Sequence, residues 1–374
     1  MRSFLKHKII LFAPNFPLLR RIFYLILFLP ALISAQGRKY SNAFLEIGVD
    51  ARSMALSNSV IASTNDVNAV YWNPAGLTQV RDSWQASAMH AEYFASIAQY
   101  DYAAFAAPID AVSTAGVAVI RFGVDDILDT TELIDEDGNV DYDRINRFSA
   151  ADYAVIGSYA RVSEKVKGLS YGGSFKVVYR QIGDFANSIG FGFDLGAQYQ
   201  RNHWLFGATL RDVTSTFNAW TINTDELADV FAQTGNELPT ENLELTLPRL
   251  LIGAGRSFDF NENYRLHAEV NADMTFGGRE NTLVSSDFGN VNPGLGLELG
   301  YRQFVFLRAG VGNVKRLRDF DGNREFTVQP NLGLGFKYRG IYIDYALTDI
   351  GSASGTLYSN IFSLKFNFGE FKSS

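Results

Sequence analysis

His267 and Glu269 stand two residues apart in the run Tyr264 to Phe276, with Arg265 and Asp273 on the same side of it. A histidine beside a carboxylate is a pair that can move protons or hold a metal. A deaminase-type zinc site would also need a cysteine pair, and the chain has no Cys. No His-Glu-x-x-His, phosphate-binding GxxxxGK[ST] or GxSxG elbow occurs either. The row Arg265, His267, Glu269 and Asp273 therefore reads as a structural charge ladder. No enzyme activity, metal or cofactor is expected. A second candidate is Asp135-x-Asp137-Gly138-Asn139, which recurs as Asp319-x-Asp321-Gly322-Asn323. Clustered carboxylates bind Ca²⁺, but the full EF-hand ligand set is missing. Asp-Gly is also an ordinary turn, and the turn is the favoured reading.

Composition narrows the elements that could carry such residues. Aromatics at 14% together with 33 Gly are unusual for a soluble α/β enzyme. The absence of Cys excludes a disulfide scaffold, thiol catalysis and Cys-ligated clusters. The formal charge of -7 argues against a nucleic-acid partner.

The N-terminus reads as an export signal. Arg2, Lys6, Lys8, Arg20 and Arg21 precede an apolar run from Ile22 to Leu29, followed by Pro30 to Ile33 and the small pair Ser34-Ala35. That order makes 1–35 a secretory signal peptide. A membrane anchor would need about 20 apolar residues, more than this run supplies. Arg20-Arg21 also resembles a twin-arginine signal, but the greasy run and a barrel that must cross unfolded favour the general route. Removal of 1–35 leaves 28 basic against 40 acidic residues, a charge of -12. No later stretch is apolar enough for a spanning helix.

From Trp84 onward the chain alternates in period two. In Tyr264 to Phe276 one face is Tyr264, Leu266, Ala268, Val270, Ala272, Met274 and Phe276, and the other is polar throughout. Ile189 to Gln200 repeats the pattern with Ile189, Phe191, Phe193 and Leu195. Alternate side chains of a strand lie on opposite faces, so each segment has one apolar and one polar face. About fourteen such segments follow one another: 84–94, 98–107, 113–122, 149–161, 169–181, 188–199, 203–213, 247–257, 263–276, 292–300, 304–312, 328–338, 341–347 and 357–369. Most are near the roughly 9–11 residues that cross a bilayer as tilted strands. The connections after even-numbered segments are all short, and every long one follows an odd-numbered segment. That parity is expected of an outer-membrane barrel with tight turns at one end and long loops at the other. The expected fold is all-β: an antiparallel transmembrane β-barrel of about 14 strands, apolar face to lipid and polar face to the lumen. Residues 36–82 alternate poorly and precede the barrel of 83–374. They either hang in the periplasm or fold into the lumen as a plug.

Phe44-Leu45-Glu46-Ile47-Gly48 leads into Ala51-Arg52-Ser53-Met54, and Asp66-Val67-Asn68-Ala69 into Tyr71-Trp72-Asn73-Pro74-Ala75-Gly76-Leu77. These runs resemble the PorV/PorQ family of outer-membrane proteins, which are related to FadL-type transporters. Weaker echoes are Phe306-Leu307-Arg308-Ala309-Gly310 and Asp344-Tyr345-Ala346. The resemblance implies a FadL-like barrel of Gram-negative outer membranes with an N-terminal hatch. It also implies a role in type IX secretion, with other components of that system and the C-terminal domains of secreted cargo as partners. The hatch motif is Glu46, Arg52, Trp72, Asn73, Pro74, Ala75 and Gly76. Asn73-Pro74 is a turn signal, and Glu46 and Arg52 need partners if the segment is buried. Whether the motif only fixes the hatch or also gates it stays open, as does a FadL-like transport of small hydrophobic molecules.

The long loops are acidic. Gly123 to Phe148 has nine acids against Arg144 and Arg147, and Thr214 to Thr246 has six acids and no base. In the second, Asn223 precedes Thr224-Asp225-Glu226, with Leu227, Val230 and Phe231 at helical spacing. This short helix is either a lid on its own barrel or, with Trp220, a partner-binding groove. Mass spectrometry of the protein from outer membranes should find a mature N-terminus at Gln36; retention of Ile22 to Leu29 would contradict the export reading.

Overall fold

The computed structural model describes residues 41–81, 83–134, 138–224, 231, 243–318, 324–348 and 359–373. The segment 1–35, the positions Leu227 and Val230, and most of both Asp-x-Asp-Gly-Asn turns lie outside them.

Fourteen strands follow in chain order: β1 Gln85–Tyr93, β2 Ala98–Pro108, β3 Ser113–Asp129, β4 Asn146–Val162, β5 Leu169–Ile182 and β6 Ala186–Arg201. β7 is Trp204–Arg211, resumed as Thr216–Ile222, and β8 is Leu243–Thr246, resumed as Arg249–Asp259. Then come β9 Tyr264–Thr275, β10 Asn290–Tyr301, β11 Val305–Arg318, β12 Arg324–Tyr338, β13 Ile341–Thr348 and β14 Ser359–Asn367. Each pairs antiparallel with its chain neighbours, and β14 pairs with β1. The ring is closed, so no backbone donor is left on an open edge inside hydrocarbon.

The interruptions in β7 and β8 share one level. Asp212 and Ser215 take left-handed φ values of 52° and 58°. There β6 hands its pairing from one half of β7 to the other. Lys176 of β5 spans the break, with its Nζ 2.8 Å from Asp194 and 2.7 Å from Asp212, and the cation is buried with both carboxylates.

The connections keep the expected parity. Those after even-numbered strands are short, and two are of only two residues: Asn202-His203 between β6 and β7, and Arg339-Gly340 between β12 and β13. Arg339 and Gly340 both have positive φ, 48° and 79°, the twist of a tight two-residue hairpin. A Cβ on Gly340 would lie 2.4 Å from the Asn367 carbonyl, so only glycine fits. The amide of Phe368 meets the carbonyl of Trp84 at this same end, which is the periplasmic one. Trp84 packs there among Phe105, Phe366 and Phe368. Phe371, a candidate terminal aromatic for barrel assembly, lies past the last strand in a short helix, Phe368–Ser373.

The strands reach further than alternation alone predicts at the other end. β3 ends at 129 instead of 122, and β4 starts at 146 instead of 149. A bulge between Val124 and Ile127 breaks the period and then lets the ladder resume. A bulge between Gly312 and Lys315 extends β11 in the same way.

Alternation sorts most side chains as expected. Ile189, Phe191, Phe193, Leu195 and Val270 point outward and are exposed, while Asp194, His267 and Glu269 are buried inside. With such an apolar outer face the closed barrel spans the outer membrane by its strands. β1 and β2 depart from the pattern. Their inner face is apolar, with Met89, Tyr93, Tyr100 and Tyr102 buried, and His90, Glu92 and Asp101 point outward. The inversion has a packing cause: the inner faces of β1 and β2 meet the apolar side of residues 41–80, including Phe44, Val67 and Val70.

Inner-face glycines make that approach possible. A Cβ on Gly207 would lie 2.2 Å from the Ile61 carbonyl oxygen, and one on Gly310 would lie 2.4 Å from the Leu56 carbonyl carbon. Gly157 faces outward with nothing within 4 Å. Gly207→Val or Gly310→Val should therefore cost more than the about 1–3 kcal/mol of ordinary overpacking, because backbone is struck. Gly157→Ala should be nearly neutral. Heat-modifiable gel mobility and urea unfolding in detergent would separate the two classes.

Candidate functional site

Residues 41–80 form short helical turns joined by irregular chain. α1, Ala51–Ala55, is capped by Asp50, whose carboxylate accepts from the amides of Arg52 and Ser53, each at 3.2 Å. α2, Ala69–Trp72, is followed by a 3₁₀ turn over Pro74–Gln79, with Pro74 at its first position. Such short helices have little stability of their own; partners on the barrel wall supply it.

Those partners circle the lumen. Among the described residues, side chains from eleven of the fourteen strands hydrogen-bond the segment. Many of them satisfy its backbone. Glu269 of β9 accepts from the Ala62 amide at 2.7 Å, Gln198 of β6 donates to the Thr64 carbonyl at 2.8 Å, and Thr209 of β7 donates to the Trp72 carbonyl at 3.1 Å.

The motif residues take distinct parts in this. Arg52 grips Glu298 of β10 with two donors, Nε at 2.9 Å and Nη2 at 3.1 Å. Arg308 of β11 donates to the same Glu298 at 2.6 Å and to Asp344 of β13 at 2.6 Å. The result is a buried chain of alternating sign, Arg52–Glu298–Arg308–Asp344, with no net charge. Glu46 is half exposed and meets Arg249 of β8 at 3.1 Å. Trp72 donates through Nε1 to the Val49 carbonyl at 3.1 Å and packs edge-on against Tyr71. Asn73 Nδ2 donates to the carbonyls of Ile61 at 3.0 Å and Ala197 of β6 at 3.1 Å, while its Oδ1 accepts from the Ala75 amide. Pro74 and Ala75 are buried, and a Cβ on Gly76 would lie 2.3 Å from the Thr64 carbonyl oxygen.

A second ionic tie joins Asp66 to Lys365 of β14. Burial opposes the ionised form of Asp66, but the Lys365 ammonium, with Arg52 and the Asn68 amide, outweighs it and holds the carboxyl below the usual aspartate range. Asp50 is pushed the other way, by burial and by the carboxylates of Asp66 and Asp344.

The row on β9 divides into separate pairings. Arg265 lies at the exposed periplasmic rim beside Asp259 at 2.8 Å. His267 sits 3.1 Å from Ser257 and 3.4 Å from Glu269. Asp273 pairs with Arg249, which passes the contact on to Glu46. Glu269 alone of the four bonds the segment directly. Trp220 lies in the second half of β7, with the Arg180 guanidinium 5.0 Å from its ring. Phe231 is partly buried.

The partners of Arg52 were not singled out from the sequence as its partners. Two weak signals contained them: the echoes 306–310 and 344–346 carry Arg308 and Asp344. Glu298 is the lone acid on a strand face shared with Asn290, Asn292, Gly294, Gly296 and Gly300. Lys365 gave no signal beyond its place in the last strand.

No protein-family model and no curated protein matches the chain. Solved structures do. The toluene transporter TodX of Pseudomonas putida aligns with 13% identity over 85% of this chain and 96% of its own, with a TM-score of 0.51. The toluene transporter TbuX of Ralstonia pickettii aligns with 14% identity over 85% and 98%, also at 0.51. The monoaromatic hydrocarbon channel CymD aligns with 12% identity over 85% and 96%, at 0.52. The chain thus has the FadL-like outer-membrane barrel fold. These neighbours are channels and transporters.

Glu298→Gln should destabilise the protein by about 3–5 kcal/mol, because it takes from the buried Arg52 guanidinium its carboxylate partner and leaves Arg308 with Asp344 alone. Glu46→Gln, at a half-exposed pair, should cost under about 1 kcal/mol. Asp66 has a lower pKa folded than unfolded, so its ion pair contributes fully above about pH 4 and is lost as pH falls through the folded value. Acid unfolding should steepen below that pH, and Asp66→Asn should make the limb shallower.

Proposed function

We propose that this barrel is a non-enzymatic outer-membrane component of type IX protein secretion, with residues 41–80 as a fixed plug and the extracellular loops as its docking surface. The observation that carries this reading is the anchoring of the plug. Wall side chains from around the ring bond it, and the residues shared with the PorV/PorQ pattern serve that anchoring. Arg52 binds Glu298, Asn73 ties the wall carbonyls of Ala197 and Ala208, and Gly76 permits a close internal contact. A plug held this way gives a rigid floor beneath loops that bind partners, and no step requires it to leave. The described part of the β3–β4 hairpin carries Asp125 and Asp126 in the bulge and Asp129, Glu132, Asp141 and Asp143 beyond it, an acidic surface suited to basic patches on cargo or on other components of the system.

A second reading, uptake of a small hydrophobic molecule, is favoured by the fold likeness to toluene transporters. On fold likeness alone it is the better supported of the two. It agrees with the apolar lumen side at β1 and β2, but it requires the plug to shift.

A gene deletion with two readouts separates them. The secretion reading predicts that proteins sharing the C-terminal sorting domain accumulate in the periplasm of the deletion strain, while proteoliposomes of the purified barrel take up labelled toluene no faster than empty vesicles. Normal secretion together with toluene uptake well above empty vesicles would overturn it in favour of transport.

A further inference from the structure

The periplasmic edge of the wall carries bases that the protein itself does not use. Arg201 ends β6, Trp204 opens β7 after a two-residue turn, and Arg256 stands on β8. The registers place the three side by side, with Trp204 opposite Arg201 on one flank and opposite Arg256 on the other. They lie on the outward face, where Arg201 and Trp204 are exposed, as are Leu195 and Phe206 on the same sides of their strands. The Arg256 guanidinium is held 5.0 Å from the Trp204 ring and 4.9 Å from the Phe258 ring. The turn between β4 and β5 joins this row. Its Gly168 carbonyl accepts from the Gln200 amide at 2.8 Å, which brings Lys165 and Lys167, both exposed, beside Arg201. Several other bases at this end are committed to protein groups. Arg161 pairs with Glu164 at 2.7 Å, Arg265 with Asp259 at 2.8 Å and Lys337 with Glu370 at 2.9 Å. Arg302 donates to Asn263 at 2.7 Å. Among the described residues no acid pairs with Lys165, Lys167, Arg201 or Arg256, and the buried Nε of Arg256 has no hydrogen-bond partner.

The level of this row fixes what it meets. Trp204 and Phe206 stack with ring centroids 6.1 Å apart, and with the exposed Phe258 and Tyr264 they form part of the aromatic girdle where the wall meets headgroups. Above them the outward residues are apolar, Leu195, Ile252 and Val270 among them. An arginine in a girdle lays its stem along apolar surface and keeps its charge in the headgroup layer. At the periplasmic end that layer belongs to the inner leaflet, which is built of phospholipid; lipopolysaccharide occupies the other leaflet. Neighbouring strands are about 4.8 Å apart, so Arg201 and Arg256 stand roughly 10 Å apart across β7. Two arginine side chains can close that span on one phosphodiester, each with paired donors.

We propose that Arg201 and Arg256, on either side of Trp204, form a headgroup site for an anionic phospholipid of the inner leaflet, with Lys165 and Lys167 adding to the attraction. A zwitterionic headgroup brings its own cation and gains little from unpaired bases. A phosphatidylglycerol headgroup brings the phosphate charge alone, and each base near it adds to its affinity. The site goes beyond the proposed function, because it lies on the membrane-facing rim and holds under either reading of the lumen.

Trp204 is the reporter for the test. Trp72 is buried in the plug, and Trp220 stands opposite Ser188 on the lumen face, so in a Trp84→Phe background Trp204 is the lipid-facing tryptophan. The purified protein is placed in phosphatidylcholine vesicles in which part of the lipid is brominated, either phosphatidylglycerol or phosphatidylcholine with the same acyl chains. Quenching of Trp204 fluorescence should show a preference on the order of tenfold for phosphatidylglycerol. Arg201→Gln/Arg256→Gln should bring that ratio close to one, while Arg302→Gln, at a base committed to Asn263, should leave it unchanged. If the double variant fails to fold, Lys165→Gln/Lys167→Gln in the exposed turn should lower the ratio about threefold. Equal quenching by the two lipids, or a ratio that ignores these substitutions, would overturn the proposal. So would full recovery of the fluorescence in millimolar inorganic phosphate, the mark of a free-anion site.

Discussion

Inside a membrane barrel, an irregular stretch of chain must find a partner for each backbone amide and carbonyl it buries, because bulk water is not there to supply one. Residues 41–80 meet this demand through the wall. Polar side chains on the inner faces of the strands reach in to named backbone atoms, and inner-face glycines let the chain come close enough to be reached. The strand alternation, the glycine content and the polar lumen all follow from that requirement. So does the exception at β1 and β2, where the segment turns an apolar side outward and the wall answers with Met89, Tyr100 and Tyr102.

Charge is managed under the same constraint. A buried cation is tolerable only when its partners neutralise it and use its donors. Arg52, Arg308, Glu298 and Asp344 do so in a chain of alternating sign. Lys176 does so with Asp194 and Asp212 where β7 breaks, and Lys365 with Asp66. Two of these ties, Arg52 to Glu298 and Asp66 to Lys365, join the segment to strands 246 and 299 residues away in sequence, so they resist its withdrawal from the wall. This is the physical reason for preferring a fixed plug over a mobile one, even though the fold itself is shared with transporters.

Much of the barrel was legible in the sequence because the side-chain period of a strand is strict. Fourteen alternating segments and the parity of their connections gave the strand order and the periplasmic end. The outer extents of β3 and β11 were not legible, since a bulge resets the period and makes a continuing strand look like loop. The inverted faces of β1 and β2 were hidden for another reason: alternation shows that two faces differ, not which one meets lipid. At the candidate site, the need of Arg52 for a buried partner could be read from its charge. The choice of Glu298, 246 residues away, depends on the registers between, which no local pattern encodes. Trp220 was grouped with the following loop by proximity, but it belongs to the strand that the break at Asp212 had concealed.

The central claim is that the segment stays in place while the protein works. The chain has no Cys, so one engineered pair can be read without background. Ser57 and Asn331 already touch, with their side chains 2.7 Å apart, and Ser57→Cys/Asn331→Cys would tie the segment to β12. The measurement is complementation of a deletion strain by this variant, with the tether oxidised or held reduced. A fixed plug predicts equal activity in both states. Activity that disappears on oxidation and returns on reduction would show that the segment must move, and would contradict the account.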